Sequence, residues 1–324
     1  MTQTGVSGQL PLRPFGGTGL SVTSLCMGCA PLGDMPETLG YSVGDDQAME
    51  TLRALFESPI NTLDTAAAYG DGTAERRIGE ALRARGGAPE GFVLATKADR
   101  DLQSGDFSGD QMRRSVERSL RLLGLDRLQV VHLHDPEHTT FENVTAPGGA
   151  LDALVRLKEE GVIGCLGVAG GPIEMEIRYV ETGVFDAVVT HNRYTLLNRS
   201  AEPLLDQAHA RGMAVLNAAP YGSGILAKGP DSGARYAYQE APDGTVSLVR
   251  RIAEVCDRYD VPLAAAALQF SLRDARITST VVGMTRPERV AQTLELAMLS
   301  TPDDLWAELD ALPYSTDDPE ASRW

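Results

Sequence analysis

The sequence predicts an α/β fold: a (β/α)8 TIM barrel with an N-terminal β-hairpin and long strand-end loops. Three observations predict it. Eight short apolar runs rich in β-branched residues alternate with segments of helical periodicity. The 324 residues show no linker or composition break, so residues 1–324 are expected to form one domain. Chemically active side chains gather where the apolar runs end, which is the face a barrel uses for its site.

Taken in chain order, residues 10–22 alternate apolar and polar around "GGTG" and predict a short hairpin. Strands are then predicted over residues 25–30, 60–64, 92–97, 129–134, 163–169, 187–190, 214–217 and 277–283. Helices fall between them. Residues 45–57 repeat Met49, Leu52, Leu55 and Phe56, residues 73–85 repeat Ile78, Ala81 and Leu82, and residues 108–123 repeat Met112, Val116, Leu120 and Leu123. The same spacing predicts helices over 148–160, 173–181, 201–211, 246–259, 263–272 and 287–299. An open doubly wound sheet accommodates the same alternation, but the units run on to eight without a domain break, which favours closure.

One connection, residues 218–244, is long and rich in Gly, Pro and Tyr, as functional loops often are. The tail after Pro313 reads as acidic and polar, apart from a final Trp324.

Composition excludes several functions. A net charge of −16 gives no basic stripe for nucleic acid and no attraction to anionic membranes. No apolar run approaches the length of a membrane span, and the chain does not start with a signal segment. The four cysteines include a CxxC, Cys26 and Cys29, inside an apolar strand pattern. Without a second pair they read as small buried thiols rather than a zinc or redox site. A reducing, cytoplasmic setting is the expectation.

The stretch "NTLDTAAAYGDGTAERRIGEAL" ends a strand on Asp64 and places Tyr69 five residues later, just before a helix. Lys97 and His134 end the next two strands. A free phenol has a pKa near ~10, and an adjacent ammonium lowers it. Lys97 can supply that charge, Asp64 can pair with Lys97, and His134 can hold or relay a proton at a substrate oxygen. Taken singly, Asp64 reads as a strand-end cap and Tyr69 as packing; together with Lys97 they read as a site. His132 would face the same way as His134, but His134 lies at the strand's very end, against Asp135 and Pro136.

This constellation resembles the aldo-keto reductase family over nearly the whole chain. "LDTAAAYG" supplies Asp64 and Tyr69, "VLATK" supplies Lys97, and "LGLDRLQVVHLHDP" supplies His134. The resemblance implies a hairpin-closed barrel and hydride transfer between NAD or NADP and a carbonyl or alcohol, with Tyr69 as general acid or base. "GCAPLG", "HDPEHTTFE", "GVAGGP", "RYTLLNR" and "NAAPYGSGILAKGP" are similar to the aldose 1-dehydrogenase branch and to pyridoxal 4-dehydrogenases. That likeness implies oxidation of a cyclic hemiacetal to a lactone. The partner implied is a small sugar or carbonyl compound.

The sequence departs from the family where the nicotinamide would be held. Ala169 and Gly170 replace the usual Ser-Asn pair, His191 replaces a Gln, and Ala218 or Ala219 falls where a Tyr would stack. Asn192, Asn217 and Tyr221 are the nearby groups left to compensate.

For the rest of the cofactor, "VVGMTRPERVAQTLEL" predicts a strand and then a helix start whose N–H groups suit phosphate. Arg289 and Gln292 match the family's adenosine-phosphate segment, with Thr285 and Arg286 beside them. Gly283 or Met284 stands where the family's usual lysine for a 2′-phosphate would be, which tilts the choice toward NAD. On surface chemistry alone, Arg286 and Arg289 would be solvated helix charges. The loop "GSGILA" contributes Tyr221, Gly222, Gly224 and Leu226 as candidate contacts. It fits G-x-G-x-x-G/A, yet "KGPDSG" follows where a dinucleotide fingerprint needs a helix, so a Rossmann reading fails.

Two rivals stand beside an oxidoreductase. A binding subunit that keeps the fold without catalysis would not need four polar residues together. A metal-dependent hydrolase could use His132-x-His134, but only His138, His191 and His209 remain as further histidines, and no metal ligand set is apparent.

Overall fold

A computed structural model describes residues 10–231 and 235–321. A hairpin, β1 (Leu12–Pro14) and β2 (Ser21–Thr23), precedes the barrel. The barrel strands that follow are β3 (Leu25–Gly28), β4 (Thr62–Asp64), β5 (Val93–Ala98), β6 (Leu128–His134), β7 (Ile163–Ala169), β8 (Ala187–His191) and β9 (Ala214–Ala218). A small hairpin, β10 (Arg235–Tyr236) and β11 (Gln239–Glu240), interrupts the series before β12 (Ser279–Gly283). Strands β3 to β9 pair in parallel and in chain order, and β12 closes the ring between β9 and β3. The eight expected strands are the eight barrel strands.

The helices are α1 (Pro36–Leu39), α2 (Asp45–Phe56), α3 (Thr73–Arg85), α4 (Gly109–Leu123), α5 (Phe141–Thr145), α6 (Ala150–Glu159) and α7 (Ile173–Glu181). They continue as α8 (Glu202–Ala210), α9 (Ile225–Lys228), α10 (Asp243–Arg258), α11 (Leu263–Leu272), α12 (Pro287–Met298) and α13 (Asp303–Asp310). Helix α10 starts three residues ahead of the expected boundary, because Pro242 caps it and Asp243 lies in its first turn. Helix α13 has no counterpart in the sequence reading; it is short, but Leu305, Trp306 and Leu309 bury one face.

Alternation along each strand builds two cores. In β6, Val131 and Leu133 belong to the shell between strands and helices, while Val130 belongs to the barrel interior. The interior is lined by small residues such as Cys26, Ala95, Cys165, Ala187 and Ala214, and Phe15 and Val22 from the hairpin plug its base. His132 occupies the same interior, fully buried, in register with Lys97 and Gly167. A Cβ at Gly167 would lie 2.0 Å from its Nδ1, so only glycine leaves room for the ring. All four cysteines are buried and unbridged, consistent with packing thiols.

The acidic tail is exposed from Pro313 to Asp317 but is pinned to the barrel at three points. Ser315 bridges to Asn198, Asp318 pairs with the buried Arg193 at 2.6 Å, and Glu320 is completely buried. Among the described residues no helix is long and apolar enough to cross a membrane.

Candidate active site

The interior positions of β4, β5 and β6 bring Asp64, Lys97 and His134 to one end of the barrel, and the turn after β4 brings Tyr69 to them. That turn is tied to its neighbour strand: Thr65 N–H donates to Ala95 C=O and Ala67 N–H to Lys97 C=O. The backbone thereby carries Tyr69 back over the strand ends before α3 begins.

Lys97 is 2% exposed and Asp64 is 4% exposed, so both charges have left water and depend on each other. Lys97 Nζ donates to Asp64 Oδ1 at 2.5 Å, to Thr65 C=O at 2.7 Å and to the Tyr69 hydroxyl at 3.1 Å. An ammonium has three protons, and all three are committed. The Tyr69 oxygen therefore accepts from Lys97, and its own proton is left for a group in the barrel mouth.

Burial pulls the Lys97 pKa down, but Asp64 and Tyr69 outweigh it, and the net shift is upward. The ammonium stays charged. Burial pushes the Tyr69 phenol up, and the downward pull of Lys97 only partly offsets it. The expectation that Lys97 brings the phenol below its usual value is thus met in the sign of the lysine's effect, not in the net result. Desolvation of a phenolate outweighs one nearby cation that is already shared with Asp64.

His134 is 8% exposed, and its ring meets that of Tyr69 edge to face, with centroids 5.9 Å apart. Its Nδ1 lies 2.6 Å from Asp99 Oδ1, and its Nε2 lies 3.4 Å from Asp135 Oδ1. Burial lowers its pKa, Asp135 and then Asp99 raise it, and the balance is upward. The sequence reading did not single out Asp99. Its signal was its position, two residues beyond Lys97 on the same strand end.

Glu137 was also missed. Both its carboxylate oxygens are buried without a hydrogen-bond partner, and burial followed by the nearby Asp135 pushes its pKa up to about 7. Its Oε2 would lie 3.1 Å from a Cβ at Gly170, where the family's asparagine is absent.

His191 ends β8 as expected and is 22% exposed in its side chain, with Nε2 3.0 Å from Glu320 Oε1. Glu320 also accepts from Asn192 Nδ2 at 2.9 Å. Burial raises the Glu320 carboxyl, but its bonds to His191 and Asn192 and the Arg193 charge bring it down to about 2. The tail thus fixes the orientation of His191, which no local pattern announced. Asn217 is not at the mouth: its Nδ2 donates to Tyr194 C=O and Ser271 Oγ in the helix layer. Among the compensating groups, Tyr221 alone is left near the cleft.

The remaining candidates gather between the ends of β9 and β12. After β9, Gly222, Ser223 and Gly224 all have positive φ, and the four-residue α9 follows, which confirms that no dinucleotide-fold helix starts here. A Cβ at Gly222 would lie 3.1 Å from the Tyr236 ring. Leu226 is buried in the core, so its side chain offers no surface. After β12, Gly283 is exposed, Met284 is buried, and Thr285 leads to α12. That helix has no side-chain cap and opens on Pro287, which carries no N–H, while Arg289 N–H donates to Arg286 C=O at 3.0 Å. Arg286, Arg289 and Gln292 are exposed around it. Burial pushes the Tyr221 phenol up to about 12, and the Arg289 charge pulls it down.

The family profile described as the aldo/keto reductase family matches residues 24–313. The chain belongs to the aldo/keto reductase family. It is 34% identical to D-threo-aldose 1-dehydrogenase of Pseudomonas sp. over 317 residues, covering 90% of this chain and 94% of that protein. It is 31% identical to pyridoxal 4-dehydrogenase of Microbacterium luteolum, covering 92% and 96%. An aldo-keto reductase of Bacillus halodurans solved in its holo form superposes with a TM-score of 0.79 over 97% of this chain and 100% of that one, at 23% identity, a likeness of fold. Membership makes the chain an NAD(P)-dependent oxidoreductase. The other sequence readings, a metal hydrolase and a catalytically silent subunit, lose their ground; His132, the partner a metal site would need, is sealed against Gly167 below the mouth.

Proposed function

We propose that the protein oxidises a cyclic aldose hemiacetal, or a closely related small alcohol, with Tyr69 as general acid and base. One observation carries the assignment: the three protons of Lys97 are all used, and one of them goes to the Tyr69 oxygen. Lys97 thereby orients the phenol so that its own proton meets a substrate oxygen. Asp64 keeps Lys97 charged in a dry setting. His134 lies beside the same ring and can hold or move a proton at the same oxygen.

A nicotinamide cofactor fits the residues present. The cleft between β9 and β12 has close-packed glycines, an uncapped helix start and two exposed arginines. The loop from Tyr221 to Gly224 and the turn at Gly283, Thr285, Arg286, Arg289 and Gln292 would hold the phosphates and adenosine, and His191 and Glu137 lie where the carboxamide would be bound. When bound, the cofactor supplies the hydride acceptor or donor. Met284 is buried, so no cation replaces the missing lysine there, and NAD is favoured over NADP.

The substrate class rests on the names of the relatives and on the polarity of the mouth. D-threo-aldose 1-dehydrogenase and pyridoxal 4-dehydrogenase are among the similar proteins. Asp135 lies 3.4 Å from His134 Nε2 and the Tyr238 ring 6.4 Å from that of His191, and they can accept from or stack on a hydroxylated ring. Fluorescence titration with NAD and NADP, followed by a panel of aldoses, aldehydes and ketones, tests both parts. The expected result is binding of NAD at least as tight as NADP and oxidation of an aldose. Much tighter NADP binding with reduction of open-chain aldehydes or ketones only would instead make the protein an NADPH-dependent carbonyl reductase.

A further inference from the structure

Asp99 is clamped on every side. Its N–H donates to Ser115 Oγ at 3.0 Å, and its C=O accepts from Gln111 Nε2 at 3.1 Å. Its Oδ2 accepts from the backbone N–H of Ala68 at 2.8 Å, and its Oδ1 lies 2.6 Å from His134 Nδ1. The residue is 3% exposed. Ala68 immediately precedes Tyr69. One carboxylate therefore touches the histidine of the site and the turn that carries its tyrosine.

We propose that Asp99 is a positioning residue of this site: one oxygen fixes His134 with Nδ1 protonated and Nε2 free to exchange a proton, and the other holds the Tyr69 turn in reach of it. The proposal rests on the oxidoreductase reading and deepens it. A carboxylate only accepts, so the ring nitrogen facing it must carry hydrogen. In the neutral ring the Nε2 lone pair is then the base. The Tyr69 phenol is held neutral by its burial, so oxidation needs such a base. Tyr69 takes the substrate O–H proton as it gives up its own toward His134 Nε2. A bound nicotinamide would take the substrate hydrogen with its electron pair as hydride, which leaves the carbonyl.

Other charges face the ring. Asp135, Glu137 and His138 follow β6, Lys97 and Tyr69 come from the neighbouring elements, and His132 lies below. Asp135 raises the ring's pKa as well, but it stands 3.4 Å away on the Nε2 side and cannot choose the tautomer at Nδ1.

Asp99→Asn separates positioning from structure. The Ala68 N–H still requires an acceptor, so the amide oxygen stays with it and the amide NH2 turns to His134. That forces the Nε2–H tautomer and removes the base. The expected result is a fall in kcat of about 100-fold or more, with KM and cofactor affinity held within about threefold and the acidic limb of the oxidative profile moved to lower pH.

The decisive arm uses neither cofactor nor substrate. It is NMR titration of labelled histidine in the free chain, with His134 assigned among five by His134→Gln. Wild type should titrate above about 6.5 with Nδ1–H in its neutral form. Asp99→Asn should lower the midpoint and switch the form to Nε2–H, and Asp135→Asn should lower the midpoint without the switch. A wild-type ring that is neutral as Nε2–H overturns the proposal without any variant having to fold. So does an Asp99→Asn enzyme whose loss lies in KM and melting temperature with an unmoved acidic limb. Failure to find a substrate would overturn the functional reading and leave the titration standing.

Discussion

The two ends of the barrel mouth are built on opposite principles. Where β4, β5 and β6 end, side chains do the work: buried charges are paired, and each polar atom of Lys97 and Asp99 has a named partner. Where β9 and β12 end, backbone does it: glycines at positive φ, an uncapped helix start and exposed arginines. The first arrangement is rigid and intolerant, as proton transfer over short distances requires. The second is open and redundant, as binding of a long charged molecule allows. Substitutions that remove a buried charge at the first end should therefore cost catalysis and folding together, isosteric ones there catalysis alone, and those at the second end affinity alone.

Lys97→Met should have the largest effect. It strands Asp64 without its partner, at a cost of about 3–5 kcal/mol in stability. It also releases the Tyr69 hydroxyl, and turnover should fall about a thousandfold or more, read by denaturant melts and steady-state rates. A stable, active variant would show that the pair is not structural, and the contrast between the two ends would fail.

Gly167→Ala comes next. It touches no reacting group, yet its Cβ would meet the His132 ring, the register neighbour of Lys97, and overpacking should cost about 1–3 kcal/mol. A melting temperature equal to wild type would mean that the interior yields more easily than its packing implies.

Arg289→Ala probes the other end. Loss of a charge-assisted contact should weaken cofactor binding about tenfold, with kcat at saturation and melting temperature unchanged. A loss of kcat with unchanged affinity would place Arg289 in the wrong role.

The smallest effect belongs to Glu137. Its folded pKa, about 7, lies above the ordinary carboxylate value of 4.5, so the native state holds the extra proton between those values. Stability from this group is full below about pH 4.5 and is lost as pH rises through 7. Glu137→Gln should flatten that decline in melts from pH 5 to 8. An unchanged slope assigns the decline to other groups.

Legibility in the sequence followed the same divide. Barrel strands and long helices were readable because their periodicity is local, and Asp64, Tyr69, Lys97 and His134 were readable because each ends or follows such a strand. Asp99 lay one step past the visible pattern. Glu320 acts on His191 across 129 positions of chain, and no local signal connects them. Helix α13 was too short for its period to show against the acidic tail. Asn192 and Asn217 looked available because sequence shows a polar side chain but not the partner that has already claimed it.

The central claim, that Tyr69 exchanges the proton while the far loops hold the cofactor, is tested most directly by Tyr69→Phe with turnover and cofactor titration measured on the same preparation. The ring volume is kept and only the hydroxyl that Lys97 orients is lost. The account predicts that turnover falls about 10²- to 10⁴-fold while NAD(P) binds as in wild type. Near-normal turnover with intact cofactor binding would contradict it.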